Sequence, residues 1–175
     1  MILRVIGTLL LFALLWVVAA IYSNLVTLQS HVDDAWQDIV RLLERRKALV
    51  PDLMVIMKNL SAADWEAVEA VAFAHAIAVA AESPREKFQS DAELAQALEN
   101  LFKTAGTRPE IASNQKYVQI ATIYRDTNEK LSAALEEYDL HVLKYNNGIQ
   151  TFPGNICASV FQFKERSGLD ALLSE

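Results

Sequence analysis

An apolar run close to the amino terminus, residues 5–22, constrains this chain more than any other feature of its sequence. The run reads VIGTLLLFALLWVVAAIY, lies between Arg4 and the next charged residue, Asp33, and would form a helix of about 27 Å. That length is close to the thickness of the hydrocarbon core of a bilayer. We therefore predict a single transmembrane helix over residues 1–23 and a separate domain over residues 24–175.

The same run has an alternative interpretation as a cleaved signal peptide. Arg4 would form its basic region, and the small residues around Ala19 and Ala20 would mark a cleavage point. The run is longer than the usual apolar core of a signal peptide, about 7–15 residues, so a membrane-spanning helix is favoured. The basic residues Arg41, Arg45, Arg46 and Lys47 follow the run, and the positive-inside rule favours a cytoplasmic location for the larger domain.

Composition indicates an all-α protein. Hydrophobic residues make up 53% of the chain, while only five Gly and four Pro are present to break helices. A length of 175 residues fits one domain behind the membrane segment. The formal net charge of -6 argues against nucleic acid as a partner, because the phosphate backbone attracts basic proteins.

The first helix is predicted to continue beyond the membrane. No Gly or Pro separates the membrane segment from an apolar stripe with spacings of three and four, and Pro51 is expected to kink this helix without ending it. We interpret the basic residues 45–47 as a solvated face, although they could instead bond carbonyls freed near Pro51. The stripe consists of Leu25, Leu28, Val32, Trp36, Ile39, Leu43, Val50, Leu53, Met57 and Leu60.

Three more helices complete a predicted antiparallel bundle of about four. The second helix is Ala-rich, begins with Ser61 or Asp64 as N-cap and runs to Ser83. The third begins with Asp91 as N-cap and ends at Gly106. The fourth covers residues 113–151 and nearly matches the first in length, with about 58 Å against about 55 Å beyond the membrane. Short connections favour antiparallel neighbours, so the fourth helix should end near the membrane.

That return would bring a set of aromatic residues to the membrane surface. Their side chains could dip into the interface between lipid and water, or they could cap the end of the bundle. The residues are Phe152, Phe161 and Phe163.

Two blocks of this sequence resemble the LemA family. The first block, residues 22–53, carries in the family's order a Tyr and Asn, Leu-Val, an Ala-Trp pair, Arg-Arg and a Val-Pro pair. The second block, residues 127–163, carries Thr-Asn, Tyr, Tyr-Asn and Phe-Pro-Gly-Asn in the family's order. Ser23, Leu135, Asp139 and residues 40–42 depart from the family pattern, and residues 61–106 resemble it only in composition. The resemblance implies one amino-terminal membrane helix, a cytoplasmic long-helix bundle and no established enzymatic activity.

The sequence predicts no catalytic, cofactor-binding or metal-binding residue. A di-metal bundle would need Glu-x-x-His on two helices, but Leu28, Ala72 and Tyr138 stand three residues before the three histidines. Cys157 and His141 are the remaining candidates for a nucleophile and its base, and a lone Cys after a turn more often packs as an inert side chain. The three asparagines of the second block are interpreted as structural: Asn128 and Asn146 bonding between helices, Asn155 in a turn.

The function that we expect is a non-enzymatic scaffold, anchored in a bacterial cell membrane, which self-associates and organises or shapes the bilayer. Coiled-coil-like packing and homo-oligomers would use its Ala-rich and aromatic faces. The alternatives are a tethered adaptor that docks a protease or transporter and, less favoured, an enzyme of unknown activity.

Overall fold

A computed structural model describes residues 1–57 and 65–169 of the chain. These residues form helices and no strand, so the all-α prediction is confirmed. The helices are α1 (Ile2–Met57), α2 (Trp65–Ala80), α3 (Pro84–Gly106), α4 (Pro109–Ala112), α5 (Gln115–Gln150) and α6 (Gly154–Phe161). The bundle of about four helices that we expected therefore has two short additions within the described part, α4 and α6.

The chain divides into two compact units. Unit 1 contains Met1–Gln37 and Glu136–Leu169, and unit 2 contains Asp38–Leu135. Helices α1 and α5 are continuous and contribute to both units. The predicted continuity of the membrane segment with the stripe behind it is confirmed, because α1 runs from Ile2 to Met57 with Pro51 inside it.

Unit 2 is a bundle of the end of α1, α2, α3 and the first part of α5, with the short α4 between α3 and α5 adding Ile111 to its core. Its core consists of the apolar stripes of these segments, centred on the fully buried Leu53, Val71, Leu94 and Leu101. The Tyr117 hydroxyl donates to the Phe102 carbonyl oxygen at 3.1 Å, and the Tyr124 hydroxyl donates to the Ala95 carbonyl oxygen at 3.2 Å. Because residue numbers rise on α5 as they fall on α3, these two helices are antiparallel.

Helix α3 begins earlier than predicted. Ser83 is its N-cap, Pro84 occupies its first turn, and Glu86 completes a capping box that satisfies two backbone N–H groups. Asp91, which we expected to be the N-cap, lies inside the helix and is buried. Helix α2 ends at Ala80 instead of Ser83, and its predicted N-caps, Ser61 and Asp64, lie outside the described residues.

In unit 1, the first part of α1 packs antiparallel to the end of α5. The ring centroids of His31 and His141 are 5.3 Å apart. The helices approach closely at Gly148, where a Cβ atom would lie 3.1 Å from Leu28 Cδ1. After α5 the chain turns at Pro153, as predicted, but then forms α6.

The amino-terminal part of α1 has no covering layer within the described residues. Leu9, Phe12 and Trp16 have 64%, 71% and 74% of their surfaces exposed. Among the described helices, α1 alone is long and apolar enough to cross a membrane. Such exposure of large apolar side chains is what lipid contact requires.

Candidate functional site

The end of the apolar run in α1 is the centre of an aromatic cluster in unit 1. The Tyr22 ring packs against the Phe161 and Phe163 rings, with centroid separations of 4.7 and 5.8 Å. Gln162 between them has a φ of 58°, a left-handed conformation that ends α6. We call Tyr22, Phe161 and Phe163 the aromatic corner.

The segment after the aromatic corner is held to α5 by polar contacts. Tyr145 donates its hydroxyl hydrogen to the Lys164 carbonyl oxygen at 2.9 Å. The Asn146 amide donates to the Arg166 carbonyl oxygen at 2.9 Å and accepts from the Arg166 backbone N–H at 3.0 Å. Burial raises the pKa of Tyr145, so its hydroxyl stays protonated as a donor. Asn146 therefore has the structural bonding role that we expected, but it bonds to this segment.

The aromatic corner borders an open cleft of about 610 Å³. Its wall is formed by side chains of α1, by Tyr145 and by the segment after α6, which includes Lys164 and Arg166. Arg166 pairs with Asp33 at 2.9 Å, so its charge is already compensated. In the part of the chain that the structure describes, no group of three or more His, Cys, Asp or Glu residues is placed to hold a metal ion.

Helix α6 and the turn before it present an apolar stripe to their surroundings, with Ile156 and Val160 on the helix and Phe152 in the turn. Phe152, Ile156 and Val160 have 79%, 58% and 69% of their surfaces exposed. Of the three phenylalanines singled out from the sequence, Phe161 and Phe163 belong to the aromatic corner, and only Phe152 joins this stripe. Sequence reasoning missed Ile156 and Val160, although Phe152, Ile156 and Val160 recur at intervals of four, which is a helical signal.

The residues considered as a nucleophile and base make different contacts. Cys157 is buried in α6. His141 stacks on His31, and its Nε2 atom lies 3.5 Å from the Glu137 carboxylate. Asn155, predicted to stabilise a turn, accepts a hydrogen bond from the Ile156 backbone N–H at 2.9 Å.

A buried ionic network connects three helices of unit 2. The Arg46 guanidinium, only 5% exposed, donates to the Asp91 carboxylate on α3 and, at 2.7 Å, to Asn128 Oδ1 on α5. Asn128 therefore bonds to another helix, as predicted. The expectation of a solvated basic face is wrong for Arg46, which is spaced three from Leu43 and thus falls on the buried stripe.

The neighbours of Arg46 behave differently. Arg45 is half-exposed and pairs with Asp126 at 3.4 Å. Lys47 pairs with Glu44 at 2.6 Å and also donates to the Ala78 carbonyl oxygen at 3.3 Å. The basic triplet thus supplies one buried cation, one that is 12% exposed and bonded to α2, and one at the surface of unit 2.

The electrostatics of this network are governed by burial. Removal from water raises the pKa of Asp91 to about 6, although the positive charges of Arg46 and Lys47 oppose the shift. Arg46 Nε and Asp91 Oδ1 are buried and have no hydrogen-bond partner among the described residues. The network therefore fixes how α1, α3 and α5 pack at some cost in desolvation.

Helix α2 has apolar residues on both of its faces. Val68, Val71, Ala74 and Ala78 are buried in the core of unit 2. The opposite side, which we call the α2 outer face, consists of Trp65, Phe73, Ile77 and Val79, which are 41%, 72%, 38% and 62% exposed. A helix that is apolar all round is normally covered on every side.

Comparison with known proteins identifies the chain's family. The model of the LemA family matches residues 35–175, which is most of the chain. The match includes the buried network, all of α2 to α6 and the phenylalanines of the aromatic corner, and it leaves the apolar run of α1 outside. No curated protein matches this chain.

Proposed function

The chain belongs to the LemA family, and we propose that it is a membrane-anchored helical scaffold that self-associates and organises the bilayer. Its anchor would be the apolar run of α1. Its larger domain would lie on the cytoplasmic side of a bacterial cell membrane, as Arg41, Arg45, Arg46 and Lys47 favour under the positive-inside rule.

Support for the anchor comes from the exposure of α1. The run contains no charged residue between Arg4 and Asp33, and Phe12 and Trp16 remain more than two-thirds exposed. Leaving such large side chains in water is unfavourable by about 25 cal/mol for each Å² of apolar surface. Lipid removes that cost without any change in the helix.

The α2 outer face is the single observation that carries self-association. Phe73 and Val79 are the most exposed of its four apolar side chains, and no Asp, Glu, Lys or Arg lies between Glu69 and Glu82. The many Ala residues of α2 allow two helix backbones to approach closely. A second copy could therefore pack against the uncharged part of this face, residues 70–81, in an isologous contact that leaves the exposed Glu66 and Glu69 at its edge.

A carbonate wash tests the anchor. We expect the full-length chain to stay in the membrane pellet at high pH, because a spanning helix is held by the hydrocarbon and not by ionic contacts. A peripheral protein of known release behaviour is the control. Release of the full-length chain into the supernatant would contradict the proposal.

Mass measurement in detergent tests self-association. We expect wild-type chain to form an assembly larger than one copy, and Phe73→Asn with Val79→Asn to shift it towards the monomer with unchanged helical content. Val118→Asn is the matched control, since Val118 is a 49% exposed apolar residue of α5 in the same unit and its change should leave the mass unaltered. A wild-type chain that is monomeric at every concentration would argue against a scaffold, and a stoichiometric companion protein would favour an adaptor.

A further inference from the structure

We infer that α6 and the turn before it form a second membrane-contacting element, whose exposed stripe of Phe152, Ile156 and Val160 lies in the interface between lipid headgroups and hydrocarbon. The inference depends on the anchor of the proposed function and adds a second membrane contact to it. It does not depend on self-association.

The aromatic corner supplies the placement. Tyr22 ends the apolar run, and tyrosine is enriched at the level where a membrane helix leaves the hydrocarbon. Phe161, the last residue of α6, packs on Tyr22 with a centroid separation of 4.7 Å. The carboxyl end of α6 is thereby held at the level where α1 leaves the bilayer.

The distribution of charge agrees with this placement. No Asp, Glu, Lys or Arg occurs over residues 5–32 of α1 or over residues 145–163, which include α6. The first charged residue after the α1 stretch, Asp33, forms an ion pair with Arg166 at 2.9 Å. Lys164 and Glu165 line the cleft beside Tyr22, and charged side chains at that depth fit the headgroup level and not the hydrocarbon. The uncharged stretches of α1 and α6 extend from there towards the anchor.

The chemistry of α6 fits an interface better than it fits the hydrocarbon core or a protein partner. Its apolar stripe is flanked by exposed Asn155, Ser159 and Gln162, and such a mixed surface is typical of a helix that lies in the headgroup region. The stripe is also small, with three side chains. The exposed apolar surface nearest to this stripe in unit 1 is that of the anchor. Lipid is therefore the partner that the position of the stripe favours.

Nitroxide accessibility in liposomes tests the inference on the full-length chain. Cys157→Ser removes the native thiol, and one label site is then introduced in each variant: Val160→Cys on the stripe, Leu143→Cys as the matched control and Phe12→Cys in the anchor. Leu143 is 57% exposed on α5 and lies about 3 Å closer to the anchor than His141, which packs against His31 nine residues past Tyr22. It is therefore still about 10 Å to the water side of Tyr22 and should remain in water. In phosphatidylcholine and phosphatidylglycerol vesicles we expect the Val160 label to favour oxygen over a water-soluble nickel complex several-fold more than the Leu143 label.

The three labels separate the possible outcomes. If the Phe12 label is lipid-exposed and the Val160 label is as accessible to the nickel complex as the Leu143 label, the inference is wrong while the anchor stands. If the Phe12 label is also in water, the anchor itself is wrong. Spin–spin broadening at Val160 that disappears on dilution with unlabelled chain would assign the stripe to a second copy and would also overturn the inference.

Two further variants guard against misfolding. Cys157→Ala replaces Cys157→Ser if the hydroxyl is not tolerated in that buried position. Ile156→Cys repeats the measurement one turn earlier on the same stripe and should give the same accessibility as Val160→Cys. Circular dichroism of each variant verifies that helical content is unchanged.

Discussion

At the scale of single residues, Arg46 and Arg45 illustrate how position on a helix decides what a charge does. They are neighbours in sequence, yet the Arg46 side chain is 5% exposed and bonded to Asp91 and Asn128, whereas the Arg45 side chain is 44% exposed. Exposed ion pairs contribute about 0–1 kcal/mol to stability. Removing one partner of a buried pair costs far more, because the other charge is left in a medium that solvates it poorly.

We expect Arg46→Met to destabilise the protein by about 3–5 kcal/mol at pH 8, and Arg45→Met by less than about 1 kcal/mol. The loss for Arg46→Met should be smaller at pH 5, since Asp91 is then protonated and the variant leaves no unpaired carboxylate in the core. Urea unfolding of the detergent-solubilised chain measures both variants. Equal losses for the two would contradict the burial of Arg46.

The raised pKa of Asp91 also gives the wild-type protein a specific pH dependence. Burial raises this pKa to about 6 from an ordinary 3.8, so the folded protein binds this proton more tightly than the unfolded chain. The stability that the proton contributes is fully present below about pH 3.8 and is lost as the pH rises through about 6. We therefore expect wild type to lose stability relative to Asp91→Asn between pH 4 and pH 7, by up to about 3 kcal/mol. A difference between the two proteins that stays constant or grows in favour of wild type over that range would show the sign to be wrong.

At the scale of secondary-structure elements, the junction of α5 and α6 depends on two glycines. A Cβ atom on Gly154 would overlap the Gly148 carbonyl oxygen, while one on Gly148 would meet the flexible ends of Leu28 and Leu25 at 3.1 and 3.3 Å. The junction thus leaves no space for a side chain at Gly154. It is the point at which α6 is directed back towards α1 in unit 1.

We expect Gly154→Ala to destabilise the protein by about 1–3 kcal/mol or more, because the backbone must shift to accept the methyl group. Gly148→Ala should cost less, since leucine side chains can move. Gly106→Ala is the control: its Cβ would meet only the Tyr117 hydroxyl, at an ordinary 3.8 Å. Hydrogen exchange in α6 should increase in Gly154→Ala before exchange in α3 does, and unchanged protection of α6 would contradict this account.

Sequence patterns predicted the long elements better than the short ones. The apolar stripes of α1 and α5 repeat over many turns, so their existence and continuity could be read directly. Helix α6 was missed because Pro153-Gly154 signals an ending, and only tertiary contacts with Tyr22 indicate that another helix comes after it. The start of α3 was placed at Asp91 because aspartate is a good N-cap, whereas Ser83-Pro84 with Glu86 carries the stronger capping signal. The buried role of Arg46 depends on Asp91, a partner 45 residues away, which no local pattern specifies.

At the scale of the whole molecule, the apolar surfaces that each unit leaves exposed decide what the protein contacts. Unit 1 exposes the anchor and the α6 stripe, and unit 2 exposes the α2 outer face. Contiguous exposed apolar surfaces mark sites of membrane or protein contact. A family match over residues 35–175 covers the α2 outer face and the α6 stripe, so both lie within the part of the chain that defines the family.

The proposed scaffold is tested most directly by electron cryomicroscopy of the purified full-length protein reconstituted in liposomes. We expect ordered assemblies of several copies on the bilayer, and we expect them to be lost in Phe73→Asn with Val79→Asn and retained in Val118→Asn. Wild-type protein that remains as isolated single copies in the membrane at high density would contradict the account.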